Sequence, residues 1–274
     1  MKRPRELKMT GGKTMIDIVT LYYPPTEKAK EVYGQMVNST FINYGNLKDD
    51  EWVKEHAILE TDFSDNIAKL NPHFCEMTTF YCVWKNMLGG ISDDDFIRHS
   101  HYRKFLDIPQ QLDPSTDIYA ANPYSLVFKF NNEIRETNVR DGTMMCHPFQ
   151  SWQAIDAVMR EDGTFREIDW FQKWQKLNVL PAPMNLFCMK VGLFRKYCEW
   201  VFPKLFKIEK MIPYDDPNYR TAYQQRAIAF ISERLFSFWV YCQVHRGRKI
   251  IQVANTIYDD FKPITDQEER NKKI

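Results

Sequence analysis

The chain has 274 residues, of which 44% are hydrophobic and 15% aromatic, and its formal charge is +1. This is ample material for one α/β core, which excludes wholesale disorder, and too little length for two large catalytic domains. The near-neutral balance supplies no global field toward nucleic acid or an anionic membrane, so any anion site has to be local.

Residues 1–14 are basic and lack an apolar stretch, so they are expected to form a flexible tail rather than a signal peptide. A single domain is expected over 15–265, with a polar tail over 266–274. Met15 to Tyr23 (MIDIVTLYY) is rich in β-branched and aromatic residues and is stopped by Pro24 and Pro25, which predicts a buried opening strand. Asn71-Pro72 reads as a helix start, and Met77, Phe80, Tyr81, Trp84 and Met87 recur at helical spacing, predicting one helix over 72–88. Gly89 and Gly90 end it, Asp93 to Asp95 make a polar turn, and Asp95 to Leu106 reads as a strand.

A second strand is expected at Asp117 to Ala121, then short helices near 152–159 and 165–177. A strand is expected at Leu186 to Met189. A helix marked by Leu193, Tyr197, Trp200, Val201, Leu205 and Ile208 follows, kinked at Pro203, and a last helix runs over 221–243. The alternation of strands and helices predicts an α/β sandwich with a largely parallel sheet. Cys75, Cys82, Cys146, Cys188, Cys198 and Cys242 are scattered without a CxxC pair and read as reduced. The most apolar stretch, Ala227 to Cys242, is broken by Glu233 and Arg234, so no transmembrane segment is expected. These features suit a cytoplasmic protein, peripheral to an inner membrane or, for a viral chain, in the host cytoplasm.

The segment DFIRHSHYRKF (Asp95 to Phe105) concentrates the chemistry. Alternation along a strand places His99, His101 and Arg103 on one face, and ligands in open α/β sheets bind beyond the carboxyl ends of strands. His101, Tyr102 and Arg103 therefore stand nearest a site, where imidazole and guanidinium donors can hold a diphosphate. Asp93 to Asp95 mimic a metal-binding DxD run but precede the strand, so a capped turn is the better reading, as it is for Asp215-Asp216. His99-x-His101 lacks third and fourth ligands nearby for zinc. Asp65, Asn66 and Glu76 flank the helix start and are candidates for donor hydroxyls or for capping. Glu233 and Arg234, charged within an apolar helix, must be paired or face a cleft.

Asp65-Asn66-Ile67, then Asn71-Pro72-His73-Phe74-Cys75-Glu76-Met77-Thr78, Tyr81, Trp84-Lys85-Asn86 and His101-Tyr102-Arg103-Lys104-Phe105 form ordered blocks. With Met184-Asn185-Leu186-Phe187-Cys188-Met189-Lys190 and Phe230-Ile231-Ser232-Glu233-Arg234-Leu235, they resemble the bacterial surface-polysaccharide glycosyltransferase family known as domain of unknown function 4422. Its members read DNIS, N-x-x-YCELT, YWxWKN, YIGLCHYRRYF, NMFIMKK and GFLSERL. The resemblance implies a GT-A-like (Rossmann-like) fold and a UDP-sugar donor, with galactofuranose or arabinose as candidate sugars and a glycan or lipid-linked glycan acceptor. It implies donor contacts from Asp65, Asn66, Glu76, His99, His101, Tyr102, Arg103 and Arg234, with His101 and Glu233 as catalytic candidates. Side-chain cations would stand where related enzymes use a metal, so no cofactor and no metal are expected. Here Arg98-His99-Ser100 replaces the usual Gly-Leu-Cys, adding charge beside the expected site, and Ile67-Ala68 replaces Ile-Ser. Two further readings stay open: a phage-type enzyme glycosylating hydroxymethylcytosine in DNA, favoured by the basic tail, Arg98 and His99, and a non-catalytic nucleotide-sugar binder.

Overall fold

The computed structural model describes residues 6–8, 14–36, 38–131 and 133–258; the polar tail expected at 266–274 lies outside them. In chain order the strands are β1 (Glu6–Lys8), β2 (Thr14–Leu21), β3 (Thr40–Asn43), β4 (Ala57–Leu59), β5 (Phe96–His101), β6 (Lys104–Leu106), β7 (Ile118–Ala121), β8 (Tyr124–Ser125), β9 (Val127–Phe130), β10 (Glu133–Glu136), β11 (Val179–Leu180), β12 (Phe187–Lys190), β13 (Ile250–Val253) and β14 (Asn255–Ile257). The helices are α1 (Glu27–Gly34), α2 (Glu51–His56), α3 (Asn71–Phe74), α4 (Glu76–Asn86), α5 (Val139–Cys146), α6 (Phe149–Asp162), α7 (Phe165–Trp174), α8 (Val191–Glu209), α9 (Ala222–Gln225) and α10 (Ala227–His245).

The main sheet runs β13-β7-β12-β5-β2-β3-β4. Strands β4, β3, β2 and β5 are mutually parallel, and β12 is the antiparallel member between β5 and β7. The expected mostly parallel sheet is thus present. Alternation divides its faces. Ile16, Ile18, Ile97 and Phe187 pack against α4, α6, α7, α8 and α10 in the large core, whereas Val19 and Leu21 join α1 and α2 residues in a second core. Helix α10 is apolar around most of its circumference because it lies inside this packing, with Phe236, Phe238 and Trp239 all buried.

Four expectations change. The helix at 72–88 is broken at Cys75, whose φ of 48° and ψ of −125° are not helical, so Asn71 belongs to the short α3 instead of capping one long helix. The last helix is likewise broken, at Arg226, between α9 and α10. The strand expected over 95–106 turns back on itself after His101. Inside the expected flexible tail, Glu6–Lys8 pairs antiparallel with β2. Pro203 is carried within α8 as one helix, and all six cysteines are free. No helix among the described residues is long and apolar enough to cross a membrane.

Arg98 is also corrected. It lies on the sheet face opposite His99 and His101, where its Nε donates to Asp17 Oδ1 at 2.6 Å and its Nη2 to Oδ2, while Ser39 Oγ completes the carboxylate. It adds no charge to the site. Removing one partner strands the other charge in the sheet, so Asp17→Ala is expected to cost about 3–5 kcal/mol in urea denaturation. An Asp17→Leu/Arg98→Met pair should lose markedly less; equal losses would contradict the pairing.

Candidate functional site

A cavity of about 310 Å³ opens at the C-terminal end of β5, the edge where parallel α/β sheets bind ligands. Tyr22 and Tyr23 reach it from the end of β2, Glu76 from the start of α4, His101 to Lys104 from the β5–β6 hairpin, and Arg226, Phe230, Glu233 and Arg234 from the start of α10. Tyr124, Cys146 and His147 complete the wall.

The hairpin explains why four consecutive residues share one cavity. His101 pairs with Lys104 across a two-residue turn, so the strand alternation that would have sent Tyr102 and Lys104 to the opposite face stops at His101. The Tyr33 hydroxyl donates to the Tyr102 carbonyl, and the Tyr258 N–H donates to the Arg103 carbonyl at 2.8 Å. Both turn carbonyls are held from outside, which fixes how the side chains are presented.

Beneath the turn lies a buried polar network centred on Asn185, which is fully buried with φ 52°. Its Nδ2 donates to Glu76 Oε1 at 2.8 Å and to Ser232 Oγ at 2.9 Å. Its carbonyl lies 2.8 Å from His99 Nδ1. A carbonyl only accepts, so Nδ1 carries the proton and His99 Nε2 accepts from the Thr20 hydroxyl at 3.0 Å. His101 Nε2 stands 3.6 Å from Glu76 Oε1. Burial pushes the Glu76 carboxyl up, but the attraction of His101 and the Asn185 amide outweigh it and hold it down at about 2. Burial, with His101 beside it, pushes His99 down to about 3. Glu76 is therefore a buried carboxylate that orients His101, and His99 is a neutral core histidine.

The cavity carries four basic side chains, Arg103, Lys104, Arg226 and Arg234, against two carboxylates, Glu76 and Glu233. Arg234 Nη1 pairs with Glu233 Oε2 at 3.0 Å, so both halves of the question posed by this charged pair are answered: they are paired and they face the cleft. Lys104 Nζ donates to Met184 Sδ at 3.4 Å and pairs with no carboxylate among the described residues. Burial lowers its ammonium, against the attraction of Glu233. Arg226 donates from Nε to Cys75 Sγ at 3.1 Å and lies over the rings of Tyr22 and Phe230 at 5.7 and 5.5 Å. It too meets no carboxylate partner among the described residues. Two basic side chains that form no ion pair among the described residues, on a wall with aromatic faces, are the chemistry a small polyanion requires.

The expected residues divide accordingly. Glu76, His101, Tyr102, Arg103, Glu233 and Arg234 line the cavity. His99 lies behind it, 1% exposed. Asp65 and Asn66 are not in its lining: Asp65 Oδ1 accepts from Tyr81 at 3.0 Å, and Asn66 closes its own turn through Phe63 O and Ala68 N. Their polar atoms serve local structure. Asp93 pairs with Arg195, and Asp95 Oδ1 accepts from Thr14 N at 2.8 Å, at the end of β5 away from the cavity; Asp216 caps a short turn. Sequence reasoning missed Lys104, Arg226, Tyr22, Tyr23 and Asn185. An arginine opening the most apolar helix was a signal for Arg226; the fold alone reveals Asn185.

The family model for the domain of unknown function DUF4422 matches residues 35–245. The chain belongs to the DUF4422 family. The apo structure of the bifunctional glycosyltransferase WbbM superposes on 89% of this DUF4422 chain with a TM-score of 0.68 at 20% identity, and the chain spans 45% of that protein's length. This likeness agrees with a GT-A-like, Rossmann-like sandwich. No curated protein matches the sequence significantly.

His99 and Glu76 contribute to the acid limit of this DUF4422 domain. Both are depressed on folding, so their contributions are complete above the unfolded values and fade as pH falls: His99 between 6.5 and about 3, Glu76 between 4.5 and about 2. Lowering the pH from 7 to 5 should cost on the order of 2 kcal/mol through His99. Chemical denaturation of His99→Gln should show a flatter dependence over this interval, and a wild-type slope in the variant would refute the assignment.

Proposed function

We propose that this chain is a nucleotide-sugar-dependent glycosyltransferase that moves a sugar from a UDP donor to an acceptor hydroxyl, with a surface glycan or lipid-linked glycan as acceptor. The observation that carries the reading is the placement of Lys104 and Arg226, without carboxylate partners, at the carboxyl edge of a sheet resembling that of a bifunctional glycosyltransferase. A diphosphate is the leaving group whose charge grows as its bond to the sugar breaks, and preplaced cations stabilise that charge at no reorganisation cost.

In the proposed reaction the acceptor oxygen bonds to sugar C1, and the bond from C1 to the diphosphate oxygen breaks. UDP departs with the electron pair. In an inverting transfer the hydroxyl proton passes to Glu233, which faces the cavity beside Arg234. His101, oriented by Glu76, donates to the diphosphate or the donor sugar, and Tyr102 and Arg103 extend the same wall. Tyr22 and Tyr23, with ring centroids 6.0 Å apart, supply flat surfaces for the uracil. The sugar itself, a furanose or pentose such as galactofuranose or arabinose, rests on the family resemblance. With four side-chain cations at hand the transfer needs no metal. A DNA acceptor loses two supports, since Arg98 is paired with Asp17 and His99 is buried.

Each of Lys104→Met and Arg226→Met is expected to weaken UDP binding roughly 10- to 100-fold by calorimetry, the scale of one charge-assisted hydrogen bond. Unchanged affinity in both removes the diphosphate site. Incubation with UDP-sugars and glycan acceptors, read by mass spectrometry, is expected to give the same product yield with and without EDTA. Abolition by EDTA would overturn the metal-free reading, and binding without donor turnover would favour a non-catalytic binder.

A further inference from the structure

Beside the cation-lined cavity lies a second one of about 160 Å³, walled by Leu126, Val127, Phe128, Val139, Met145 and Leu180. The two share Tyr124, Cys146 and Arg234. The second cavity therefore borders the first, on the side that carries Glu233's partner.

Its construction is specific to the middle of the chain. Strand β8 pairs with β11, and Leu126 N–H extends that ribbon to Asn178 O at 2.8 Å. Thr137 N–H then bonds Leu126 O at 2.9 Å, and Val139 N–H bonds Leu177 O at 2.9 Å, bringing α5 against the ribbon. These bonds satisfy backbone groups of Leu126, Thr137 and Val139 beside the pocket, whose walls are mainly apolar, with Ser125 and Thr137 as polar members and Tyr124 and Arg234 at the junction. Thr143, which also lines it, is turned inward, its hydroxyl donating to Val139 O at 2.7 Å. A glycan ring placed here would meet few polar side chains, chiefly Ser125, Thr137 and the junction residues, for its several hydroxyls.

From this we infer that the second cavity is an acceptor subsite for a ring-sized apolar group carried next to the accepting hydroxyl. The inference rests on the transferase reading above and narrows it: the acceptor is a glycoside or related hydroxyl compound with an apolar aglycone, not a purely polar saccharide. An enclosed apolar cavity of about 150 Å³ accommodates one benzene; this pocket, similar in volume and open at Val127 and Met145, suits a single ring. Arg234, shared by both cavities and paired with Glu233, places the candidate base at the junction, where the acceptor hydroxyl must lie.

The test compares phenyl and methyl β-galactoside binding to UDP-saturated protein by ligand-observed NMR. The phenyl glycoside should bind roughly tenfold or more tightly, the gain from burying one ring. Val127→Trp or Met145→Trp should fill the pocket and bring phenyl binding down to the methyl level; both positions are more than half exposed, at 52% and 54%, so the fold tolerates the change. Ile134→Trp, on the neighbouring strand and 78% exposed outside the pocket, should keep the preference. Equal binding of the two glycosides, or a preference that survives both pocket-filling variants, overturns the inference. UDP titration of the same samples separates the two levels. UDP binding without a phenyl preference strikes the subsite alone, whereas no UDP binding strikes the donor-site reading and the acceptor assignment with it.

Discussion

The architecture of the cleft depends on Asn185, a buried residue that ties three elements together in a low-dielectric interior. From two residues ahead of β12, its side-chain amide holds Glu76 at the head of α4 and Ser232 on α10, and its backbone carbonyl holds His99 on β5. Burial presses the Glu76 carboxyl toward neutrality, and His101 first, then the Asn185 amide, hold it down. Asn185 Oδ1 and His101 Nε2 are left without a hydrogen-bond partner beside the cavity, so the network confers geometry more than stability.

The second organising feature is a pair of helix interruptions that meet in space. The non-helical backbone at Cys75 starts α4, the non-helical backbone at Arg226 starts α10, and Arg226 Nε contacts Cys75 Sγ. The breaks present two helix starts to one cavity, and each start contributes the positive end of its backbone dipole. The field that favours an anion thus has a backbone part as well as the four side-chain cations.

Much of the fold was legible because it rests on local patterns. The β-branched run at Met15 to Tyr23 gives β2, the apolar stretch after Pro183 gives β12, and the 3.6-residue spacing from Met77 to Met87 gives α4. The breaks at Cys75 and Arg226 were not legible, since residues on both sides favour helix and the bonds at the breaks, from Asn71 and Thr78 to Cys75 O and from Arg226 to Cys75 Sγ, are set by the fold. Within the site, alternation correctly put His99 and His101 on one face, but depth along a strand is set by what packs over it. Phe80 and Phe187 cover His99, and only His101 reaches the cavity. Asp65 and Asn66 were misplaced for the opposite reason: polar residues before a helix serve their own turn as readily as a ligand. Lys104 was hidden by the assumption of a continuous strand, and the turn at Tyr102-Arg103 reverses that assignment.

The cleft, its buried scaffold and its unmatched cations all point to one ligand geometry, a diphosphate held directly by side chains at the end of β5. A crystal structure of the protein soaked with UDP tests this most directly. The account predicts the diphosphate oxygens within hydrogen-bonding distance of Lys104 Nζ and the Arg226 guanidinium, with the uracil against Tyr22 or Tyr23. A diphosphate bound away from this wall, or reached only through a metal ion held by Asp93 to Asp95 at the opposite edge, would contradict it.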